Sequence, residues 1–228
     1  YKIESKTTVP GRYMDITGNK ATAYGFIAAA EKAGLKLFLG SYPITPATDV
    51  LHELSKHKSL GVMTVQCEDE ISGCATSIGA AFAGALAVTS TSGPGVCLKS
   101  EAMNLAVITE LPLVVLDVQR GGPSTGLPTK SEQTDLLQAL FGRNGESPMP
   151  VIAATSPTGC FDAAYMASKI ALEHMTPVVL LTDGFVANGS GAWKLPKLAD
   201  YPAINPPYVT PEMKDNYTPY KRNPETGV

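Results

Sequence analysis

Charged side chains and a glycine-rich turn follow three apolar runs of the sequence, at the points where predicted strands end. Glu68 follows the first of these runs, the turn 91–95 (Thr-Ser-Gly-Pro-Gly) ends the second, and Arg120 follows the third. In open parallel sheets the carboxyl ends of the strands share one edge, and ligands bind there. We therefore expect an acid, a glycine turn and a guanidinium group to line one crevice.

Glu68 is the candidate catalytic acid. It lies just after its strand and is expected to be half buried, where a carboxyl group can share a proton with a ligand nitrogen. Asp69 and Glu70 follow it directly. We expect both to be solvated acids that stabilise a helix N-terminus through the helix dipole.

Arg120 is the candidate for binding a carboxylate ligand, because its guanidinium can donate two parallel hydrogen bonds. An ion pair with Glu68 or Asp117 is the alternative. Lys130 is a candidate for a second positive contact, with a solvated surface lysine as its alternative. Thr45 has the chemistry of a helix N-cap, and that role alone would account for it.

The elements that must position these groups alternate along the chain. Strands are predicted at 35–39, up to Val65, 86–91, 113–118, 151–154 and 178–182. Helices are predicted at 19–33 with Asn19 as the cap, from the cap Thr45 to His57, at 71–82, at 99–110, after a capping box of Thr129 and Glu132, and from Ser156 to His174. This alternation predicts an α/β fold with a mostly parallel six-stranded sheet and helices on both faces.

Helix 71–82 is predicted to bury Ile71, Ala75, Ile78 and Phe82, which fall at helical spacing. Its many glycines and alanines make it thin, although a glycine lowers helix stability by about 0.5–1 kcal/mol relative to alanine. A thin helix lets another helix or a flat ligand approach closely. We therefore predict that this helix packs on a neighbouring subunit.

Composition argues against several classes of partner. The net charge is −3, from 18 Lys and Arg against 21 Asp and Glu, and the positive charges are scattered, so no nucleic acid is expected. No apolar run reaches the roughly 18 residues of a membrane span. The four cysteines form no Cys-x-x-Cys pair and the three histidines lack metal-ligand spacing. We expect buried thiols in a reducing cytoplasm and no metal site in this chain.

The chain divides into three predicted parts. Residues 1–18 are interpreted as a lead-in segment and residues 19–195 as the domain. Residues 196–228 hold seven of the 18 prolines and are interpreted as a linker toward a missing C-terminal domain. The chain is thus expected to be a fragment of a longer polypeptide.

Five sequence segments, taken in their order, resemble one protein family. They are 42–46 (YPITP), 66–68 (QCE), 91–95 (TSGPG), 117–126 (DVQRGGPSTG) and 182–185 (TDGF). Together they resemble the pyrimidine-binding domain of the α subunit of 2-oxoacid:ferredoxin oxidoreductases, above all the members that act on 2-oxoglutarate. The resemblance covers about residues 19–195 and implies a thiamine-diphosphate-binding, Rossmann-like fold.

The resemblance also implies roles for individual residues. Glu68 matches the position that hydrogen-bonds the pyrimidine nitrogen N1′ and so activates the cofactor. Thr45 and Arg120 match positions that touch the substrate, Arg120 at its carboxylate, and Lys130 is carried over to the distal carboxylate of 2-oxoglutarate. The other implied cofactor contacts are Tyr42, Pro43, Ile44, Ser92, Gly93, Pro94 and Gly95.

In the family that this chain resembles, a partner β subunit holds the cofactor's diphosphate and Mg²⁺. No Cys-x-x-Cys pair occurs here, so the [4Fe–4S] clusters are expected on another chain of a hetero-oligomer. The implied reaction is the oxidative decarboxylation of 2-oxoglutarate with coenzyme A to succinyl-CoA, CO₂ and reduced ferredoxin, with this chain inactive alone. The alternatives are the same chemistry on 2-oxoisovalerate or another 2-oxo acid, and a non-catalytic α/β assembly domain.

Overall fold

The computed structural model of this chain describes residues 9–227. Its strands are β1 (Tyr13–Thr17), β2 (Leu37–Ser41), β3 (Val62–Gln66), β4 (Leu86–Thr91), β5 (Leu113–Gln119), β6 (Val151–Ala153), β7 (Pro177–Asp183) and β8 (Ser190–Lys194). Its α-helices are α1 (Gly18–Ala33), α2 (Thr48–Leu54), α3 (Glu70–Phe82), α4 (Gly93–Ile108), α5 (Leu136–Phe141), α6 (Cys160–His174) and α7 (Gly184–Asn188).

Six of the strands form one parallel sheet in the order β3-β2-β4-β5-β7-β6. The predicted α/β class and the six predicted strands are confirmed. In the register, Thr91 of β4 lies opposite Asp117 of β5, and Gln119 lies opposite Asp183 of β7. The carboxyl ends of the strands therefore meet along one edge, as expected.

Helices cover both faces of the sheet, because successive side chains along the strands point to opposite faces and are apolar on both. On β5, Val114, Leu116 and Val118 join the core under α1, α2 and α6. Leu113 and Val115 join the core under α3, α4 and α5. A strand buried on both faces is typical of a parallel sheet between helical layers.

Strands β1 and β8 form a separate antiparallel pair that the sequence did not indicate. The interpretation of residues 13–17 as a lead-in is therefore wrong, while residues 1–8 lie outside the described range. Short polar strands with alternating exposure carry little apolar signal, which explains the miss. The pair packs on α6, where the Phe161 and Trp193 ring centroids are 5.1 Å apart.

Two predicted helix caps are wrong. Thr17, not Asn19, caps α1, and its Oγ1 accepts from Lys20 N at 3.4 Å. Asn19 instead donates through Nδ2 to the Pro46 carbonyl at 2.9 Å. Helix α2 starts only at Thr48, so Thr45 is not its cap.

Three further boundaries differ from prediction. The residues 93–95 are not a free turn, because they are the first turn of α4, which begins at Gly93 rather than 99. The capping box of Thr129 and Glu132 does not form, since α5 begins at Leu136 and Glu132 Oε2 accepts from Gly122 N at 2.7 Å. Helix α6 begins at Cys160, four residues after the predicted start.

The proline-rich segment after residue 195 lies partly against α6. Tyr201 stacks on Tyr165 with ring centroids 4.8 Å apart, and Ile204 is 2% exposed within the core. The first part of the predicted linker is thus docked on the domain. In the described range, every helix falls short of the length and apolar character needed to cross a membrane.

The four cysteines are all thiols. Burial is correctly predicted for Cys74 and Cys160, and it raises the pKa of each thiol to about 11. The prediction is wrong for Cys97, which is exposed, while Cys67 is partly buried.

Candidate active site

At the carboxyl edge of the sheet, a buried tyrosine joins two neighbouring elements. Tyr42 follows β2, and its hydroxyl lies 2.8 Å from Thr91 Oγ1 at the end of β4. The carboxylate of Glu70, the first residue of α3, lies close to the same hydroxyl. Burial above all, together with this carboxylate, raises the pKa of Tyr42, so the hydroxyl keeps its proton. A buried, protonated hydroxyl therefore lies beside Glu70.

Gly95, in the first turn of α4, packs closely against these three residues. A Cβ on Gly95 would lie 2.0 Å from Thr91 Oγ1, 2.4 Å from Tyr42 Oη and 3.0 Å from Glu70 Cγ. No side chain fits at such distances without displacing its neighbours. The glycine of the TSGPG segment is thus required by close packing.

Lys99 lies beneath the same group, one helical turn after Gly95. Its side chain is fully buried, and Nζ donates to the Glu70 carbonyl at 2.8 Å and to Thr89 Oγ1 at 2.9 Å. Nζ also lies 5.2 Å from the centroid of the Tyr42 ring. Tyr42, Glu70, Thr91, Gly95 and Lys99 are called the tyrosine cluster below.

Glu68, the predicted catalytic acid, is not part of the tyrosine cluster. Its side chain is exposed, so the expectation of a half-buried carboxyl group is wrong for this chain. Asp69 is the N-cap of α3, and hydrogen bonds from Ser72 lower the pKa of its carboxyl group. Its helix-start role is confirmed. The expectation of a solvated acid is wrong for Glu70, which is partly buried and lies close to Tyr42.

The orientation of Glu70 follows from the face that α3 buries. Ile78 is buried as predicted, but Ile71 is 51% and Phe82 82% exposed, and Ala75 is exposed too, so most of the predicted face is wrong. The face against the sheet consists mainly of small residues, namely Gly73, Cys74, Ser77, Ile78 and Ala81. They recur at helical spacing from Glu70, which places Glu70 at the end of this face.

Small residues face the sheet because α3 lies very close to β2. A Cβ on Gly40 would lie 2.5 Å from both Gly73 O and Ser77 Oγ. Ser77 Oγ also accepts from Gly40 N at 3.2 Å. Close packing of this kind requires glycine and serine rather than large apolar side chains.

A second group lies beside the tyrosine cluster, around Arg120. The Arg120 side chain is 6% exposed, and it donates through Nη1 to Thr45 O at 2.7 Å and through Nη2 to Thr125 O at 2.8 Å. Within residues 9–227 its Nε has no partner, and Arg120 forms no ion pair, so the alternative pairing with Glu68 or Asp117 does not occur.

Arg120 borders a cavity of about 640 Å³, called the arginine pocket below. Its other lining residues are Gly93, Pro94, Cys97, Leu98, Gly122, Pro123, Ser124, Thr125, Glu132, Thr134, Asp135 and Gln138. A buried guanidinium without a carboxylate, at the wall of an open cavity, suits an anionic ligand. Thr45 is linked to the pocket through its carbonyl, whereas Lys130 is exposed and does not line it.

Two acids meet behind the pocket wall. Asp117 on β5 is fully buried, and neither of its carboxyl oxygens has a hydrogen-bond donor among the described residues. Burial first, and then the charge of Asp135, raise the pKa of Asp117. A proton held by Asp117 and donated to Asp135 satisfies both groups. Asp135, which directly precedes α5, packs against the start of α4. A Cβ on Gly93 would be 2.4 Å from its Oδ2.

Comparison with known proteins decides the family. The family described as "pyruvate flavodoxin/ferredoxin oxidoreductase, thiamine diphosphate-binding" matches residues 28–227. The chain belongs to this family. The thiamine-diphosphate-binding fold that the sequence segments implied is thereby confirmed.

Individual members of the family are similar over nearly the whole chain. It is 58% identical, over 99% of its length, to the 2-oxoglutarate oxidoreductase subunit KorA of Mycobacterium tuberculosis, of which it covers 34%. It is 37% identical, over 98% of its length, to subunit alpha of 2-oxoacid:ferredoxin oxidoreductase 1 of Aeropyrum pernix, of which it covers 35%.

A solved structure of a family member also matches. The 2-oxoglutarate:ferredoxin oxidoreductase from Magnetococcus marinus, with 2-oxoglutarate, coenzyme A and succinyl-CoA bound, gives a TM-score of 0.88 at 36% identity. The match covers 98% of this chain and 38% of that one. The chain thus spans about a third of the length of these relatives.

The structure brings some predicted site residues of this family member together and separates others. Tyr42 and Gly95 meet in the tyrosine cluster, and Gly93 and Pro94 line the arginine pocket. Ser92 is the buried N-cap residue of α4, Ile44 is partly buried, and Pro43 is exposed.

Sequence reasoning missed Glu70, Lys99 and the pair of Asp117 and Asp135. For Glu70 a usable signal existed, because small residues repeat from it at helical spacing. Lys99 carried no such signal, since a lysine in an amphipathic helix is normally predicted to face solvent.

Proposed function

We propose that this chain is the pyrimidine-binding part of the α subunit of a thiamine-diphosphate-dependent 2-oxoglutarate:ferredoxin oxidoreductase. The reaction is oxidative decarboxylation of 2-oxoglutarate with coenzyme A, giving succinyl-CoA, CO₂ and reduced ferredoxin. The supporting observation is that the Tyr42 hydroxyl and the Glu70 side chain converge over Gly95, beside a buried arginine that lacks an anion among the described residues. The names of the relatives supply the substrate.

The tyrosine cluster fits the aminopyrimidine half of thiamine diphosphate. Its carboxylate is partly exposed at the sheet edge, while the groups behind it are buried and bonded to one another. When bound, thiamine diphosphate supplies a nucleophilic carbon for attack on the keto group and stabilises the charge left by CO₂. In this proposal Glu70 hydrogen-bonds the pyrimidine nitrogen and holds or accepts its proton, while Tyr42 fixes the carboxylate.

Glu70 takes this role rather than Glu68 for a geometric reason. Glu70 lies at the end of the helix face that packs on the sheet, and its side chain lies close to the Tyr42 hydroxyl. Glu68 is exposed two residues earlier, before the cap of α3. Both remain candidates for the same experiment, because a partner subunit that covers this edge would bury Glu68 as well.

The arginine pocket is assigned to the 2-oxo acid. In this proposal the Arg120 guanidinium, whose Nε has no partner among the described residues, donates to the carboxylate next to the keto group, while its Nη1 holds the Thr45 carbonyl. Lys130 is the proposed contact of the distal carboxylate of 2-oxoglutarate. Because Lys130 is exposed in this chain, that contact requires the loop 121–135 to bend toward the pocket.

The remaining components are assigned to a partner. A β subunit would bind the diphosphate and Mg²⁺ and carry the [4Fe–4S] clusters that pass electrons to ferredoxin. The exposed side of α3, with Ile71, Ala75 and Phe82, is the proposed contact with a neighbouring subunit. The hetero-oligomer is placed in the cytoplasm, where its thiols stay reduced.

The test is reduction of a viologen dye by the full complex under anoxic conditions, dependent on both 2-oxoglutarate and coenzyme A. The variants are Glu70→Gln and its matched control Glu68→Gln, which change the same group two residues apart. We expect Glu70→Gln to lower kcat by about 100-fold or more, the usual size of a lost acid–base group, and Glu68→Gln to change it less than about threefold. The reverse order would return the role to Glu68. Full activity in both variants would favour the non-catalytic assembly domain.

A broader substrate range is the second candidate, favoured by the exposure of Lys130 and by the Aeropyrum relative, which is named for 2-oxoacids in general. A panel of 2-oxo acids tests it with Lys130→Ala. If Lys130 binds the distal carboxylate, KM rises for 2-oxoglutarate and not for 2-oxoisovalerate. Equal KM changes for both acids would remove Lys130 from the site.

A further inference from the structure

Lys99 is a buried cation that the proposed chemistry leaves unassigned. It lies on α4, its side chain is 0% exposed, and it contacts α3 through the Glu70 carbonyl and β4 through Thr89 Oγ1. The Tyr42 ring covers it from the side of β2. One ammonium group therefore connects the three elements that carry the tyrosine cluster.

Burying a lysine at this position is energetically unfavourable. Removal from water disfavours its charge, and burial accordingly lowers the pKa of Lys99. Within residues 9–227 no carboxylate lies at ion-pair distance from Nζ. An apolar side chain of similar length would be at least as stable in such a site. Packing alone therefore does not explain a lysine here.

The contacts of Lys99 converge on the residue that carries the carboxylate. The Glu70 carbonyl belongs to the first turn of α3, and the Glu70 side chain lies close to Tyr42, whose ring lies against the same ammonium group. We propose that Lys99 is a positioning residue, which holds the start of α3 and thereby sets the Glu70 carboxylate against Tyr42 and Gly95. This inference rests on the proposed function, in which Glu70 faces the aminopyrimidine ring.

Helix α3 does not need Lys99 in order to form. Its start is also held by the capping box, in which Asp69 Oδ1 accepts from Ser72 N at 2.8 Å and Ser72 Oγ accepts from Asp69 N at 3.1 Å. Removing the ammonium group should leave the cap and the sheet intact while loosening the placement of Glu70. A variant of Lys99 should therefore lose cofactor activation without losing stability.

The test compares Lys99→Met with the control Lys36→Met, which removes an exposed lysine, in the full oxidoreductase complex. We expect Lys99→Met to unfold at the same or a higher temperature than the parent. Amide hydrogen exchange of the segment 69–74 should become faster. Exchange of the C2 proton of bound thiamine diphosphate, followed by NMR, should slow about 10- to 100-fold, the effect of misplacing a catalytic group by roughly an ångström. The control should change none of these.

A double variant distinguishes positioning through Glu70 from an independent effect. In the Glu70→Gln background, Lys99→Met should cause little further loss, because the group that it positions is already inactive. A full additional loss would overturn the inference, as would unchanged amide and C2 exchange in Lys99→Met. If Glu70→Gln alone is fully active, the proposed role of Glu70 fails and that of Lys99 with it.

A second substitution covers the case in which Lys99→Met does not assemble. Lys99→Gln keeps a neutral donor that can reach toward the Glu70 carbonyl, and it should restore part of the C2 exchange rate. Failure of both variants to assemble would show that Lys99 is needed for folding, which also overturns a positioning role.

Discussion

The tyrosine cluster and the arginine pocket lie along one sheet edge and differ in how their polar atoms are paired. In the cluster, Tyr42, Thr91 and Lys99 all bond to other groups of the same chain. Around the pocket, the buried atoms Arg120 Nε and Ser92 Oγ have no partner among residues 9–227. A buried polar atom without a partner costs about 1–3 kcal/mol. The cluster is therefore assembled within this chain, whereas the described residues leave buried polar atoms around the pocket unpaired.

The largest effect that tests this contrast is expected from Arg120→Lys. A lysine ammonium cannot donate to the Thr45 and Thr125 carbonyls and also donate two parallel hydrogen bonds to a carboxylate. The kcat/KM for the 2-oxo acid should therefore fall about 100-fold or more. The dissociation constant of thiamine diphosphate should change little, because the hydrogen bonds of Arg120 go to the Thr45 and Thr125 carbonyls and not to the tyrosine cluster, and lysine keeps the positive charge. Steady-state kinetics and calorimetry of the complex check the two quantities. A parallel loss of cofactor affinity would mean that the two regions form one unit.

A smaller effect is expected from Gly95→Ala in the tyrosine cluster. The added Cβ overlaps Thr91 Oγ1 and Tyr42 Oη, both of which are buried, so the free energy of unfolding should fall by about 1–3 kcal/mol. The control is Gly79→Ala, where a Cβ meets nothing within 4 Å. Because alanine favours a helix over glycine, this control should gain about 0.5–1 kcal/mol. Denaturant unfolding of the purified chain measures both, and equal stabilities would contradict a tightly packed cluster.

The two regions also differ in what could be predicted from the sequence. The apolar runs predicted all six strands of the main sheet, and hence the edge where both regions lie. They did not predict the face of α3, because apolar periodicity ranks Ile71 and Phe82 above Gly73 and Ser77. Close packing on β2 requires the small residues, and this tertiary requirement overrides the apolar pattern. Glu68 is predicted for a different reason, because it lies just after β3, and that criterion does not consider which face of α3 is buried.

The arginine pocket was harder to predict for a different reason. Residues 121–135 are held by bonds between distant positions, such as Gly122 N to Glu132 and Asp135 N to the Gln119 side chain at 3.0 Å. Local rules predicted a capping box here, because Thr129 and Glu132 have the right spacing. Glu132 bonds to Gly122 instead. The spacing of Thr129 and Glu132 in the sequence does not show that Gly122 competes for the Glu132 carboxylate.

A third effect, of about the same size, concerns stability and pH at the pair behind the pocket. Because burial raises the pKa of Asp117 in the folded chain, its stabilising contribution is complete below the unfolded value of about 3.9. That contribution is lost as the pH rises toward the folded pKa. Asp117→Asn stays neutral at every pH, and its amide can donate to Asp135. At pH 7 the variant should therefore be more stable than the parent by about 1–3 kcal/mol, and at pH 4 the difference should shrink.

Denaturant unfolding of both chains between pH 4 and pH 8 measures this difference, with Asp15→Asn as the exposed control. A stability difference that does not vary with pH would mean that Asp117 carries no proton between the two acids. A variant less stable than its parent at pH 7 would mean that an ionised Asp117 is needed. In that case the buried charge behind the pocket would have to be balanced by a cation from outside residues 9–227. The pocket would then be incomplete in its charges as well as in its hydrogen bonds.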